Sequence, residues 1–143
     1  MANKALIIHS DIDLEQKALA LLVCTAQEKT AEMVRNIRHL NLSLIQVHIL
    51  HVLSKSDKGQ LTVNQIRELM IDDSPNVSRS INKLMENGYI VKERSHEDQR
   101  VVYIKITEAG EKAHEEADGE LLKTKLGLSA AEAQKLYELL KKI

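Results

Sequence analysis

Hydrophobic and polar positions divide the chain into helical stretches interrupted once by two strand-like runs. Over residues 13–40, Leu14, Ala18, Leu21, Leu22, Met33, Val34 and Ile37 recur near the helical period. That predicts a long helix whose polar middle, AQEKTAE, admits a kink or a partly exposed turn. A second helix is expected over residues 42–55. On it Leu42, Ile45, Ile49, Val52 and Leu53 form one stripe, and Leu44, Val47, His48 and His51 a second on the opposite side. Apolar character on two faces predicts a helix held between two layers.

SDKGQ reads as a turn, after which Thr62 and Gln65 form a capping box that starts a short helix through Met70. Beyond a turn at IDDS, Ser74 is expected to cap a helix whose first position is Pro75, with Gly88 as its left-handed terminator. Residues 89–110 then change character. YIVKERSHEDQRVVYIKITEAG holds two runs rich in Val, Ile and Tyr around a polar connection at 95–99, the pattern of a β-hairpin. Thr107 is placed to cap a helix reaching about residue 126, closed by Gly127. Ser129 and Glu132 make another capping box for a last helix, where Ala133, Leu136, Leu139, Leu140 and Ile143 form an apolar stripe.

The order αα–(α–turn–α)–ββ–αα is mainly α with a small β-hairpin wing, an α+β arrangement. It is the layout of a winged helix-turn-helix DNA-binding domain with helices added at both ends. The apolar stripes of those terminal helices need covering, and a second copy of the chain in a symmetric dimer supplies it most economically.

Composition narrows the class. A length of 143 residues suits one domain with a real core, and 43% apolar with 29% charged residues suits a soluble globular protein. Aromatic residues are only 2%, with no Phe or Trp, so the core must rest on aliphatic side chains. One cysteine rules out an internal disulfide and fits a reducing cytoplasm. No run approaches the roughly 18 apolar residues of a membrane span, and the N-terminus carries no cleavage site, so no membrane partner is expected. The net charge of −1 gives no basic footprint, and residues 61–107 hold seven Lys/Arg against seven Asp/Glu. A DNA-facing surface must therefore come from arrangement, with bases gathered on one face.

On the helix over residues 75–87, Val77, Ile81, Leu84 and Met85 share one face. Opposite them stand Asn76, Arg79, Asn82, Lys83 and Glu86, with Ser78 and Ser80 on the shoulders. Arg can bond guanine bidentately and Asn adenine, while Ser and Lys suit phosphates. An ordinary solvated helix face has the same look. The hairpin tilts the reading, because Arg94 and Arg100 flank a tip able to enter a narrow minor groove. Asp98, two residues before Arg100, is near enough to orient its guanidinium; the plainer alternative is a surface hairpin with a weak ion pair. The DNA-binding candidates are thus Asn76, Ser78, Arg79, Ser80, Asn82, Lys83, Arg94, Asp98 and Arg100. No nucleophile–base pair stands at recognisable spacing and no Gly-rich phosphate loop is present, so an enzyme is not expected.

The run Asp98-Gln99-Arg100, then five residues, then Ile106-Thr107-Glu108-Ala109-Gly110 resembles the D-x-R-x(5)-L-T-x-x-G signature of the MarR family of bacterial regulators, with Ile106 in place of Leu. VSRSINKLMENGYIVKER also resembles that family's recognition helix and first wing strand, so the resemblance covers about residues 42–110. It implies a homodimer held by residues 11–40 and 108–143, reading a palindromic double-stranded DNA through residues 42–107. Ser78, Arg79 and Lys83 are similar to DNA-contacting positions, and Asp98 and Arg100 to the wing pair. By the same resemblance such proteins are more often repressors than activators. Many release DNA when a small ligand, an oxidant or a metal acts between the dimer and DNA-binding parts. A small-molecule effector would find its pocket at Leu44, Val47, His48 and His51.

Cys24, in the apolar stretch ALALLVCTA, reads as a small hydrophobe in preference to a redox sensor. In zinc-sensing relatives a histidine at the position resembling His48 is a ligand, joined by histidines after the wing. Here that helix offers His114, Glu115 and Glu116, and neither a metal nor another cofactor is expected. The rival reading is a winged-helix interaction module that has lost DNA binding.

Overall fold

The computed structural model describes residues 4–70 and 75–143. A short helix, α1 (Lys4–Ile8), leads into α2 (Leu14–Ile37) and a 3-10 turn, followed by α3 (Leu44–Lys55). Strand β1 (Gln60–Leu61), α4 (Val63–Leu69) and α5 (Asn76–Glu86) come next. The hairpin β2 (Ile90–Arg94) and β3 (Val102–Ile106) precedes α6 (Glu108–Leu121) and α7 (Ala130–Leu140). The winged helix-turn-helix order expected from the pattern is present, α1 and β1 being additions to it. No described helix is long and apolar enough to cross a membrane.

Side-chain caps set most helix starts. Asp13 accepts from the backbone N–H groups of Glu15 and Gln16, and α2 then runs unbroken through its polar middle. Lys29 and Lys4 serve the acids there, pairing with Glu32 at 2.9 Å and Glu28 at 2.7 Å. Helix α3 starts two residues later than its apolar stripe. The cause is a reciprocal box: Ser43 N–H donates to Gln46 Oε1 at 2.8 Å, and Gln46 N–H donates to Ser43 Oγ at 3.2 Å. Leu42 stays outside the helix and joins Val47 in the core, as a hydrophobic staple does. Thr62 and Gln65 make the same box on α4.

Helix α3 is the centre of the molecule, packing against α6 on one side and against α4, α5 and β3 on the other. Ile49, Leu50 and Leu53 on α3 are fully buried with Ile66, Val77, Leu84, Ile90 and Ile104. Leu50, which neither expected stripe contains, is as buried as any residue there, while Ile45 and Val52 are only half-buried. Four packed elements around α3 leave little of its circumference to solvent.

The Ser74 cap and the IDDS turn lie outside the described residues. Pro75 itself takes the position before the first turn, so α5 begins at Asn76. Its end is as expected: Tyr89 N–H donates to Leu84 C=O and Gly88 N–H to Met85 C=O, both at 3.0 Å, with Gly88 at φ +76°. In the antiparallel sheet, ordered β1-β3-β2, Ile90 faces Ile106 and Arg94 faces Val102 across the hairpin. Helix α6 stops at Leu121, short of the expected 126, in a tightened last turn where Lys123 N–H donates to the Glu120 carbonyl at 3.2 Å and Thr124 N–H to the Leu121 carbonyl at 3.1 Å. The Asn36 amide on α2 donates to Thr124 Oγ1 at 3.1 Å and to the Glu120 carbonyl at 3.5 Å, tying α2 to this turn. Ser129 Oγ accepts from Glu132 N–H at the start of α7, while Glu132 turns its carboxylate to the Ser129 hydroxyl instead of the backbone.

The terminal helices bury little of themselves. Helices α1 and α7 contribute no buried residue, and α2 contributes only Ile37. Leu14 is 82% exposed, Leu19 62% and Leu139 58%, which leaves apolar surface on α2 and on α7.

Candidate nucleic-acid interface

Val77, Ile81 and Leu84 anchor α5 in the core, and that fixes which side of the helix looks outward. Asn76, Arg79, Asn82 and Lys83 are exposed, and Ser78 and Ser80 are half-buried on its flanks. Lys83 leans toward Glu86 at 3.7 Å, a loose and well-solvated pair that a phosphate could displace. Arg67, which the sequence reading passed over, reaches from α4 to donate to Ser78 Oγ at 2.7 Å. It ties the two helices of the helix-turn-helix together beside the reading face. No spacing rule reveals it, because the contact depends on how α4 crosses α5.

The wing is ordered at its tip by backbone-directed bonds. Ser95 Oγ accepts from the N–H groups of Glu97 and Asp98, and Val101 N–H closes a turn on the Asp98 carbonyl at 3.0 Å. Asp98 Oδ1 accepts from the Arg100 backbone N–H at 3.0 Å. Asp98 therefore shapes the turn that presents Arg100, and the expected bond to the Arg100 guanidinium is not what it makes. Arg94 donates from Nη1 to the Gln99 carbonyl at 2.6 Å, bracing the tip from the first strand. Arg100 extends from the corner of the turn, fully outside the core.

The base of the wing is joined to the reading helix through the signature residues. Thr107 Oγ1 donates to the Gly88 carbonyl at 2.7 Å and accepts from Gly110 N–H at 3.1 Å, while Thr107 N–H donates to the Tyr89 carbonyl at 3.0 Å. One threonine thus links the end of α5, the start of β2 and the start of α6. Gly110 lies directly against this junction, where a Cβ would overlap the Tyr89 carbonyl and come within 2.7 Å of Ile106 Cγ1.

Some of the acids of this region are drawn off by local partners. Glu93 lies 3.6 Å from Lys105 across the hairpin, Glu86 attends Lys83, and Asp98 is turned to the backbone. Arg79, Lys92 and Arg100 form no ion pair among the described residues, so their charge faces solvent. Glu97, beside Arg100 at the wing tip, is also exposed and in no ion pair among the described residues, so the cations of this side stand with one acid still among them.

The four expected pocket residues do not act alike. Val47 is in the core, Leu44 and His48 are half-buried, and His51 borders a groove of about 450 Å³ with Lys55, Leu61 and Leu69. His51 also meets His114 of α6, Nδ1 to Nε2 at 3.0 Å. Cys24 is half-buried on α2 beside Gln27, Glu28 and Ala31.

A family model described as "Transcriptional regulator SarA/Rot" matches residues 33–117. The "HTH-type transcriptional regulator SarU" of Staphylococcus aureus is 36% identical over 66 residues, 46% of this chain and 27% of that protein. The chain thus spans about a quarter of the length of that relative. The "Organic hydroperoxide resistance transcriptional regulator" of Bacillus subtilis is 30% identical over 126 residues, covering 88% of this chain and 84% of its own. Among solved structures, a putative MarR-like transcription regulator from Bacillus cereus superposes with a TM-score of 0.77 at 23% identity, covering 90% of this chain and 94% of that one. The last likeness shows a shared fold.

Proposed function

The chain belongs to the SarA/Rot family of transcriptional regulators, and on that premise we propose that it is a sequence-specific, DNA-binding repressor acting as a homodimer on a palindromic site. The observation that carries the reading is the face of α5. Asn76, Arg79, Asn82 and Lys83 stand exposed and opposite a buried anchor, with the Arg100 wing tip beside them. Kinship with transcriptional regulators favours this over an interaction module without DNA binding. No catalytic step enters the reading.

Residues 42–107 would form the reading part and residues 11–40 with 108–143 the dimer part. The exposed leucines of α2 and α7 supply the apolar area such a dimer needs, and two-fold symmetry would then present two α5 helices to successive major grooves. A small effector seated where α3 meets α6 would change the angle between the two parts, and with it the spacing of the reading helices.

Arg100→Ala tests the wing. Its expected signature is weaker binding at every sequence tried, with the slope of log K against log salt falling by about 1 per protomer and base preference in the major groove unchanged. Titration of a labelled duplex at several salt concentrations reads both quantities. An unchanged slope would remove the wing from the interface.

A further inference from the structure

His51 on α3, His114 on α6 and Asp118 one turn further along α6 bring one ligand atom each to within 4.8 Å of one another. His114 Nε2 is the shared corner, 3.0 Å from His51 Nδ1 and 3.4 Å from Asp118 Oδ2. We propose that these three residues form a binding site for a divalent transition-metal ion of the zinc class, pinning α3 to α6.

Protonation alone serves this corner poorly. A neutral imidazole nitrogen carries either a proton or a lone pair. If His114 Nε2 carries the proton, a single N–H is divided between His51 and Asp118. If it carries the lone pair, it accepts from His51 but points that lone pair at a carboxylate. An ion resolves the conflict by taking electron pairs from all three atoms at once. Ligand atoms about 2.0–2.1 Å from a tetrahedral zinc stand roughly 3.3 Å apart. The observed 3.0 and 3.4 Å edges bracket that spacing. The rings are tilted by 52° and not stacked. The third edge, His51 to Asp118, is bounded only by 4.8 Å, so Asp118 would have to draw closer on binding, and its side chain is 44% exposed.

Burial argues the same way. His114 is 4% exposed, which fixes its ring, while the exposed side of Asp118 gives an ion a path from water. Two imidazoles and one carboxylate leave a fourth position for water, a donor set suited to zinc, cobalt or nickel and not to magnesium or calcium. His48, the histidine that the family resemblance singles out, is not in the group. One turn away, Ser54 Oγ donates to Glu111 Oε2 at 2.7 Å, so the polar seam between α3 and α6 continues past the histidines. The inference does not depend on DNA binding.

The test is titration of the metal-stripped full chain with Co²⁺, followed by visible absorption, and with Zn²⁺, followed by calorimetry. Expected are one ion per protomer, the intense d–d absorption of a four-coordinate cobalt site, and its loss when zinc is added. His51→Gln and Asp118→Asn change half-exposed side chains and spare the buried His114. Each should weaken zinc by at least the roughly 10–100-fold that loss of an outer partner costs. His48→Gln should bind like the parent. Absence of saturable uptake by the parent, or full affinity in both His51→Gln and Asp118→Asn, would overturn the assignment.

Discussion

Alanine at Arg79 is expected to weaken binding to a selected operator by about 1–3 kcal/mol at each half-site and to relax base choice at one position in it. In a symmetric dimer both half-sites are affected, so the loss in the whole complex is about twice that. Val77, Ile81 and Leu84 hold α5 with its outer face fixed, and Arg79 projects from that face without an ion pair among the described residues. Its removal leaves no cavity and no unpaired acid, so stability should stay within about 0.5 kcal/mol of the parent. The loss then belongs to the complex. Titration of the operator and of its single-base variants reads it directly; parental affinity and parental base preference would place the reading face elsewhere.

Gly110→Ala should lower stability by about 1–3 kcal/mol, the cost of overpacking a filled site. Helix propensity alone predicts the reverse sign, since alanine is favoured over glycine inside a helix by about 1 kcal/mol. The two effects compete, and the collision wins because the obstacle is backbone. A new Cβ would overlap the Tyr89 carbonyl, which is already fixed by the Thr107 N–H at 3.0 Å. Nothing flexible is available to move aside. Gly119, on the same helix with open space around it, is the internal control, and alanine there should be neutral or stabilising. Urea unfolding of the two variants against the parent separates propensity from collision, and a Gly110→Ala protein as stable as the parent would contradict the packing described.

Much of this was legible from residue order because it is local. Thr62 with Gln65, Gly88 after a helical run and the alternation of residues 90–94 and 102–106 all act within a few positions. What escaped is non-local. Strand β1 is two residues long and exists only because β3 lies beside it, Gln60 against Lys105 and Leu61 against Ile104. Asn36 meets the end of α6 from 84 residues away. Leu50 is buried by elements on several sides, which a two-stripe count cannot represent.

The site divides in the same way. The outward face of α5 follows from helical periodicity, and the structure displays it as the pattern required. Spacing puts Asp98 beside Arg100 and suggests a bond to its guanidinium, yet the bond goes to the backbone N–H, a distinction set by turn geometry. Arg67 on Ser78 and His51 on His114 each join two helices, and nothing in the spacing of either pair announces the contact.

The most direct test of a dimeric, sequence-reading protein is selection of binding sequences from a random duplex pool by the purified chain. Enrichment of a palindrome is expected, with half-sites about one helical turn apart, roughly 10 base pairs centre to centre. Enrichment of a single unpaired half-site would contradict the dimer, and no enrichment even at low salt would contradict the reading face itself.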